Sequence, residues 1–149
     1  MKSIFDKTTR DELINRINSL NEDNVAQWGH MNISQMLRHC ILWDEVALGK
    51  RKVKQPFLGT LLGKMILKGF VKNDSPLKHH LPAIDELKIK KTPNRNFTSE
   101  KKKWISLINE YPRISNHNYK VPFFGKVKKE EAGYLSYKHS DHHLRQFNT

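Results

Sequence analysis

The sequence predicts an all-α fold: an up-down-down-up four-helix bundle with a short helix inserted in the long crossover between its second and third helices. Three observations carry this. Four stretches repeat their apolar residues at three and four positions, the period of a helix with one buried side. The alternation expected of a half-buried strand is nearly absent. Residues 50–97 separate the second stretch from the third, enough chain for a crossover that leaves those two helices parallel.

The first helix is expected over about 8–20. Thr8 or Thr9 supplies the cap, Asp11 and Glu12 lie in the first turn, and Leu13, Ile17 and Leu20 form the stripe. The second is expected over about 32–49. Asn32 caps it, with Gln35 three residues on as the reciprocal partner of a capping box. Met36, Leu42, Trp43 and Val46 fall within about 60° of His39, at about 100° per residue, while Leu37, Ile41 and Leu48 line the other side. A helix apolar on two sides is central in its domain, so His39 points inward.

The crossover holds a short helix over 57–70, read as a cover on the bundle, with a helix lying on a membrane surface as the minor alternative. Gly59 and Gly63 in it have the spacing of a close-packing motif. Loop signals follow at Asn73 to Pro76, Leu81-Pro82 and Thr92 to Asn94. Thr98 or Ser99 starts the third bundle helix, expected over 98–111, with Trp104, Leu107, Ile108 and Tyr111 as its stripe and Pro112 as its stop. The fourth runs from Lys126 to about Phe147, its body at 128–146, with Glu130 and Glu131 near its start. No half of the chain has a core of its own, so residues 1–149 read as a single domain.

Composition fits a soluble globular protein, with 37% hydrophobic and 28% charged residues in 149. The lone cysteine, Cys40, excludes an intramolecular disulfide and a Cys-rich zinc module, and reads as a small buried hydrophobe. No apolar run is long enough for a transmembrane segment, and the N-terminus lacks a signal peptide; the expected location is cytoplasmic. The net charge of +12 raises nucleic acid, an anionic membrane surface or an anionic substrate as partners. Its clusters, at 50–54, 88–91, 101–103 and 126–129, are spread along the chain and read mainly as solubility.

Three histidines carry the chemistry. His139 and His143 are four residues apart on the last helix, so their rings stand about 40° apart on one face. If that face packs against the second helix, His39 joins them. Three neutral imidazoles with open positions describe a catalytic metal site rather than a structural one. His142 competes with His143 for the third place. Trp43 and Gln146 are read as pocket residues beside the site, with His142 as a further wall. The His-x-x-x-His spacing does not make a zinc peptidase, because Ser140 stands where the general-base glutamate is required, and Asp141 points to the opposite face. His30, His79, His80 and His117 have no partner spacing and read as surface residues.

Two motifs resemble a known family. Trp28-Gly29-His30-Met31-Asn32-Ile33-Ser34-Gln35-Met36-Leu37-Arg38-His39-Cys40 resembles the entry to the second helix of DinB-like proteins, in particular their DUF1569 branch. Pro122-Phe123-Phe124-Gly125, followed by Tyr137-Lys138-His139-Ser140-Asp141-His142-His143-Leu144-Arg145-Gln146-Phe147, is similar to the same branch. The resemblance implies a DinB-like bundle with a divalent metal ion (zinc, nickel, iron or manganese) on His39, His139 and His143. The better-known DinB-like pattern places Arg-Gly-Gln directly after the last ligand, whereas Leu144 intervenes here before Arg145 and Gln146.

Characterised members of the wider superfamily include metal-dependent S-transferases that use bacillithiol or mycothiol, and a thiol-dependent maleylpyruvate isomerase. The resemblance therefore implies a thiol S-transferase: the metal activates a low-molecular-weight thiol, which attacks a small-molecule electrophile near Trp43. The alternatives are a metal-dependent hydrolase using metal-bound water, or a non-enzymatic basic module binding nucleic acid or a protein partner. A homodimer is a further expectation.

Overall fold

The computed structural model describes residues 1–79, 85–91, 95–114 and 119–149. Five α-helices carry the described fold: α1 (Lys7–Ser19), α2 (Ile33–Ala47), α3 (Phe57–Phe70), α4 (Phe97–Glu110) and α5 (Lys129–Gln146). The only strands among the described residues, β1 (Lys120–Val121) and β2 (Gly125–Lys126), form a two-residue antiparallel hairpin. The chain is thus all-α with a trace of sheet. None of the described helices is long and apolar enough to cross a membrane.

Helix starts follow the side chains that satisfy the first free N–H groups. Asn32 accepts from Gln35 N at 2.9 Å, and Gln35 Oε1 accepts from Asn32 N at 2.9 Å, which is the expected capping box. Gly49, at φ 74°, ends the same helix two residues short of the expected limit.

Three expected starts move. Neither Thr8 nor Thr9 caps α1; Asp6 holds the cap position, without a side-chain cap bond. The reason is upstream: Ile4 is buried and its N–H donates to Gly133 O at 3.1 Å, so the N-terminal turn is tied to α5 and the helix winds up at once. Neither Thr98 nor Ser99 caps α4. Asn96 does, accepting from Ser99 N at 2.9 Å. The last helix starts at Lys129 rather than Lys126, because Gly125–Lys126 pairs in the hairpin, and Glu131 accepts from Lys128 N at 2.8 Å. Beyond α4, Tyr111–Arg113 tightens into a 3₁₀ turn containing Pro112.

The main core joins α1, α2, α4 and α5. Leu13 and Ile17, Met36, Leu37 and Ile41, Trp104 and Leu107, and Leu144 all belong to it. The principal contacts run from α2 to α4 and α5, and from α1 to the same two helices. Within this core Asp44 is buried and accepts from Trp104 Nε1 at 2.9 Å and from Tyr111 OH at 2.6 Å. Burial drives its carboxyl up to about 7, outweighing the two hydrogen bonds. Cys40 is buried and free, as expected.

A second cluster seats α3 and the hairpin against α5 through Leu67, Tyr119, Val121, Phe124 and Leu135. The glycines of α3 explain its seat: a Cβ at Gly59 would lie 2.2 Å from the Phe123 carbonyl oxygen, so only glycine permits that approach. Lys138, buried on α5, ties down the end of α3 by donating to the carbonyls of Phe70, Asn73 and Ser75 at 2.7, 2.5 and 3.0 Å. A 3₁₀ turn at Asp85–Leu87 packs against α2, with Leu87 buried among Leu42 and Val46. The loop expected at Leu81-Pro82 and that at Thr92 to Asn94 lie outside the described residues, as do His80 and His117.

Candidate metal centre

Two helices bring the three histidines together. His39 sits on the inner face of α2, and His139 and His143 stand one turn apart on α5; all three are buried. One ring nitrogen from each forms a set lying within 4.8 Å of one another. The ring centroids are 5.0 Å apart for His39 and His139, and 4.7 Å for each other pair.

The outer hydrogen bonds decide which nitrogens face inward. His39 Nδ1–H donates to the Leu87 carbonyl oxygen at 2.9 Å; a carbonyl only accepts, so the proton is on Nδ1 and Nε2 is the unprotonated nitrogen, 3.0 Å from His139 Nε2. Gln146 does the same for His143. Its amide Nε2 donates to the Trp28 carbonyl at 2.6 Å, which turns Oε1 toward His143 Nδ1–H at 2.9 Å. His143 Nε2 is therefore also bare. The Trp28 loop reaches Gln146 because residue 29 is glycine: it holds φ +79°, and a Cβ there would lie 2.8 Å from Gln146 Nε2.

His139 completes the set. Its Nε2 lies 3.0 Å from His39 Nε2, and Trp43 stacks on its ring at 3.9 Å with planes 8° apart. Its Nδ1 is buried and has no hydrogen-bond partner among the described residues. Two ligands at about 2.05 Å from one ion lie about 2.9 Å apart at a right angle and about 3.3 Å apart at a tetrahedral one, so the 3.0 Å spacing suits a shared ion. Burial, with smaller contributions from the neighbouring rings, holds His139 and His143 well below the ordinary histidine range; burial also lowers His39. All three are neutral at pH 7, the form that binds a metal. Donor type and spacing, with the tautomers held on His39 and His143, fit a divalent ion.

His142 is not a member of the set. Its ring lies 5.6 Å from Trp28, 6.4 Å from His79 and 5.0 Å from His143. Trp43, His142 and Gln146 line one cavity of about 770 Å³ with His39, His139 and His143. Trp28, Phe70 and Phe123 give much of its apolar wall.

Three features lay beyond the sequence reading. The Leu87 carbonyl has no side-chain signature. Lys138 gave no spacing signal. His79, expected as a bystander, is exposed yet stacks on Trp28 at 3.8 Å with planes 11° apart. The tryptophan of the Trp28-Gly29 motif was the available clue, since an aromatic ring there needs a face to pack on. His30 is exposed, as expected.

Fold and site together define a helical protein whose interior carries a three-histidine cluster able to hold a metal ion. A family described as a protein of unknown function (DUF1569) matches residues 3–149, and the chain belongs to that family. No curated protein and no solved structure gives a significant match.

Proposed function

We propose that this chain is a divalent-metal-dependent enzyme of DinB-like architecture, with His39, His139 and His143 as the metal ligands. In this reading α1, α2, α4 and α5 are the four helices of an up-down-down-up bundle and α3 is the insertion. The contacts of α2 and α1 with both α4 and α5 support that arrangement. The single observation carrying the metal is the locking of His39 and His143 by outer acceptors, which leaves their Nε2 atoms bare beside His139. Outer-sphere acceptors of this kind are the usual companions of metal-bound imidazoles.

A bound divalent ion supplies a Lewis-acid centre that lets a thiol or a water ionise near neutral pH. The reaction we favour is transfer to a low-molecular-weight thiol, with hydrolysis as the close variant at the same site. The chain's own residues orient the reactants. Trp43 fixes the His139 ring and walls the cavity, whose apolar lining excludes water from an electrophilic small molecule. Trp28 Nε1 and Trp43 Nε1 are buried without a partner among the described residues and offer donors to a bound molecule.

The test is metal analysis of the protein purified without a histidine tag, beside His39→Ala. The expected result is about one equivalent of ion in the parent and a sharp loss in the variant. Equal content in both would end the metal reading. Conjugation of a thiol to a model electrophile, measured with and without the ion, then separates transferase from hydrolase.

A further inference from the structure

One face of α3 is apolar and exposed, and the sequence on both sides of it is rich in positive charge. Phe57 is 83% exposed, Leu58 53%, Leu61 68% and Met65 65%. Only two other large apolar side chains among the described residues are comparably open, Met1 and Val25, so this one helix concentrates the exposed apolar surface. At about 100° per residue the four α3 side chains share an arc of about 100°. The opposite side of the helix is committed to the protein through Gly59, Gly63 and Leu67.

The charge along the surrounding sequence has one sign. Between Glu45 and Asp74 the sequence carries Lys50, Arg51, Lys52, Lys54, Lys64, Lys68 and Lys72 and no acidic residue. All seven are exposed. Lys50 and Arg51 pair with Glu110 and Glu45, whereas the other five make no ion pair among the described residues. Lys64 and Lys68 flank Phe57 within about 20° on the helical wheel, where long side chains can lie along apolar surface with their ammonium groups outward.

We propose that α3 is a docking face for an anionic lipid bilayer, lying in the plane of the interface. An amphipathic helix needs two things there, an apolar face that enters the headgroup boundary and basic residues that meet anionic lipid; α3 presents both. A second copy of the chain fits the face poorly, because a two-fold contact would bring the same basic rims together. Nucleic acid would answer the charge and leave Phe57, Leu58, Leu61 and Met65 without a partner. The inference is independent of the metal centre.

The test uses the full chain with vesicles of phosphatidylcholine alone, and of phosphatidylcholine with about one third phosphatidylglycerol, read by co-sedimentation. The expected result is binding to the anionic vesicles only, weakening as salt rises from about 0.1 M to about 0.5 M. The pair Leu61→Glu with Met65→Glu should lower binding about tenfold or more, since it removes apolar area and adds repulsion. Lys64→Gln with Lys68→Gln is the second pair, milder for folding, and should lower binding while leaving helical circular dichroism unchanged. Failure to bind anionic vesicles overturns the proposal. So does binding that neither pair reduces, or equal, salt-independent binding to both vesicle types. Dimerisation through the same residues without vesicle binding also overturns it, in favour of a second copy.

Discussion

Replacing Gln146 by Leu tests the centre without touching a ligand. The side chain is buried and makes two hydrogen bonds, to His143 Nδ1 at 2.9 Å and to the Trp28 carbonyl at 2.6 Å. Leu fills similar space and supplies neither. His143 then has no acceptor fixing its tautomer, and its Nδ1–H and the Trp28 carbonyl are stranded in the interior. Each stranded group costs roughly 1–3 kcal/mol of stability. Loss of an outer partner to a metal-bound histidine lowers affinity about 10- to 100-fold, or about 1.4–2.7 kcal/mol. The assay is competition for Zn²⁺ against a chromophoric chelator, with circular dichroism verifying the fold. Gln146→Glu is the informative companion. It keeps an acceptor for His143 and loses the donor to Trp28, so metal affinity should hold while stability falls. Unchanged affinity in Gln146→Leu, alongside a collapse in His39→Ala, would refute the tautomer argument and leave the ligand set standing.

Other substitutions and conditions give separate readings. His143→Ala should reduce bound metal far more than His142→Ala, measured by elemental analysis; the reverse order would put His142 in the centre. Asp44 is raised from an ordinary 3.8 to about 7 on folding, so its neutral form is favoured by the fold and its contribution is lost as pH rises through 7. Between pH 6 and 8.5 the parent should therefore lose about 1.4 kcal/mol relative to Asp44→Asn, read by urea unfolding at each pH; parallel pH profiles would contradict this. Duplex DNA binding should be weak and fade between about 50 and 200 mM salt, and tight sequence-selective binding at physiological salt would instead favour a nucleic-acid module.

Much of this was legible in the residues. Periodicity located all five helices, and Asn32 with Gln35 marked the start of α2, because a capping box is encoded wholly in local side chains. The convergence of His39 with His139 and His143 followed from two helical faces. Both α1 and the body of α5 begin within about one residue of expectation, but the cap of α1 and the hairpin before α5 were not legible, since they depend on Ile4 meeting Gly133 and on strand pairing, both tertiary events. Nor was the exposure of α3: periodicity shows an apolar helix but not which of its faces the protein uses. The Leu87 acceptor was invisible for a deeper reason, being a backbone atom.

That backbone atom also shapes how such a centre tolerates change. Gln146 can be exchanged by a single codon and its acceptor lost, but every amino acid at position 87 carries a carbonyl. The proton on His39 Nδ1 is thus indifferent to the identity of its partner residue and sensitive to the path of the chain through the 3₁₀ turn at Asp85–Leu87. Drift by substitution in that turn leaves the imidazole tuned, provided the buried Leu87 side chain keeps its apolar bulk. Insertions or deletions in the crossover are different: they move the carbonyl itself. Divergence in the length of this segment, rather than in its composition, is what would retire the site.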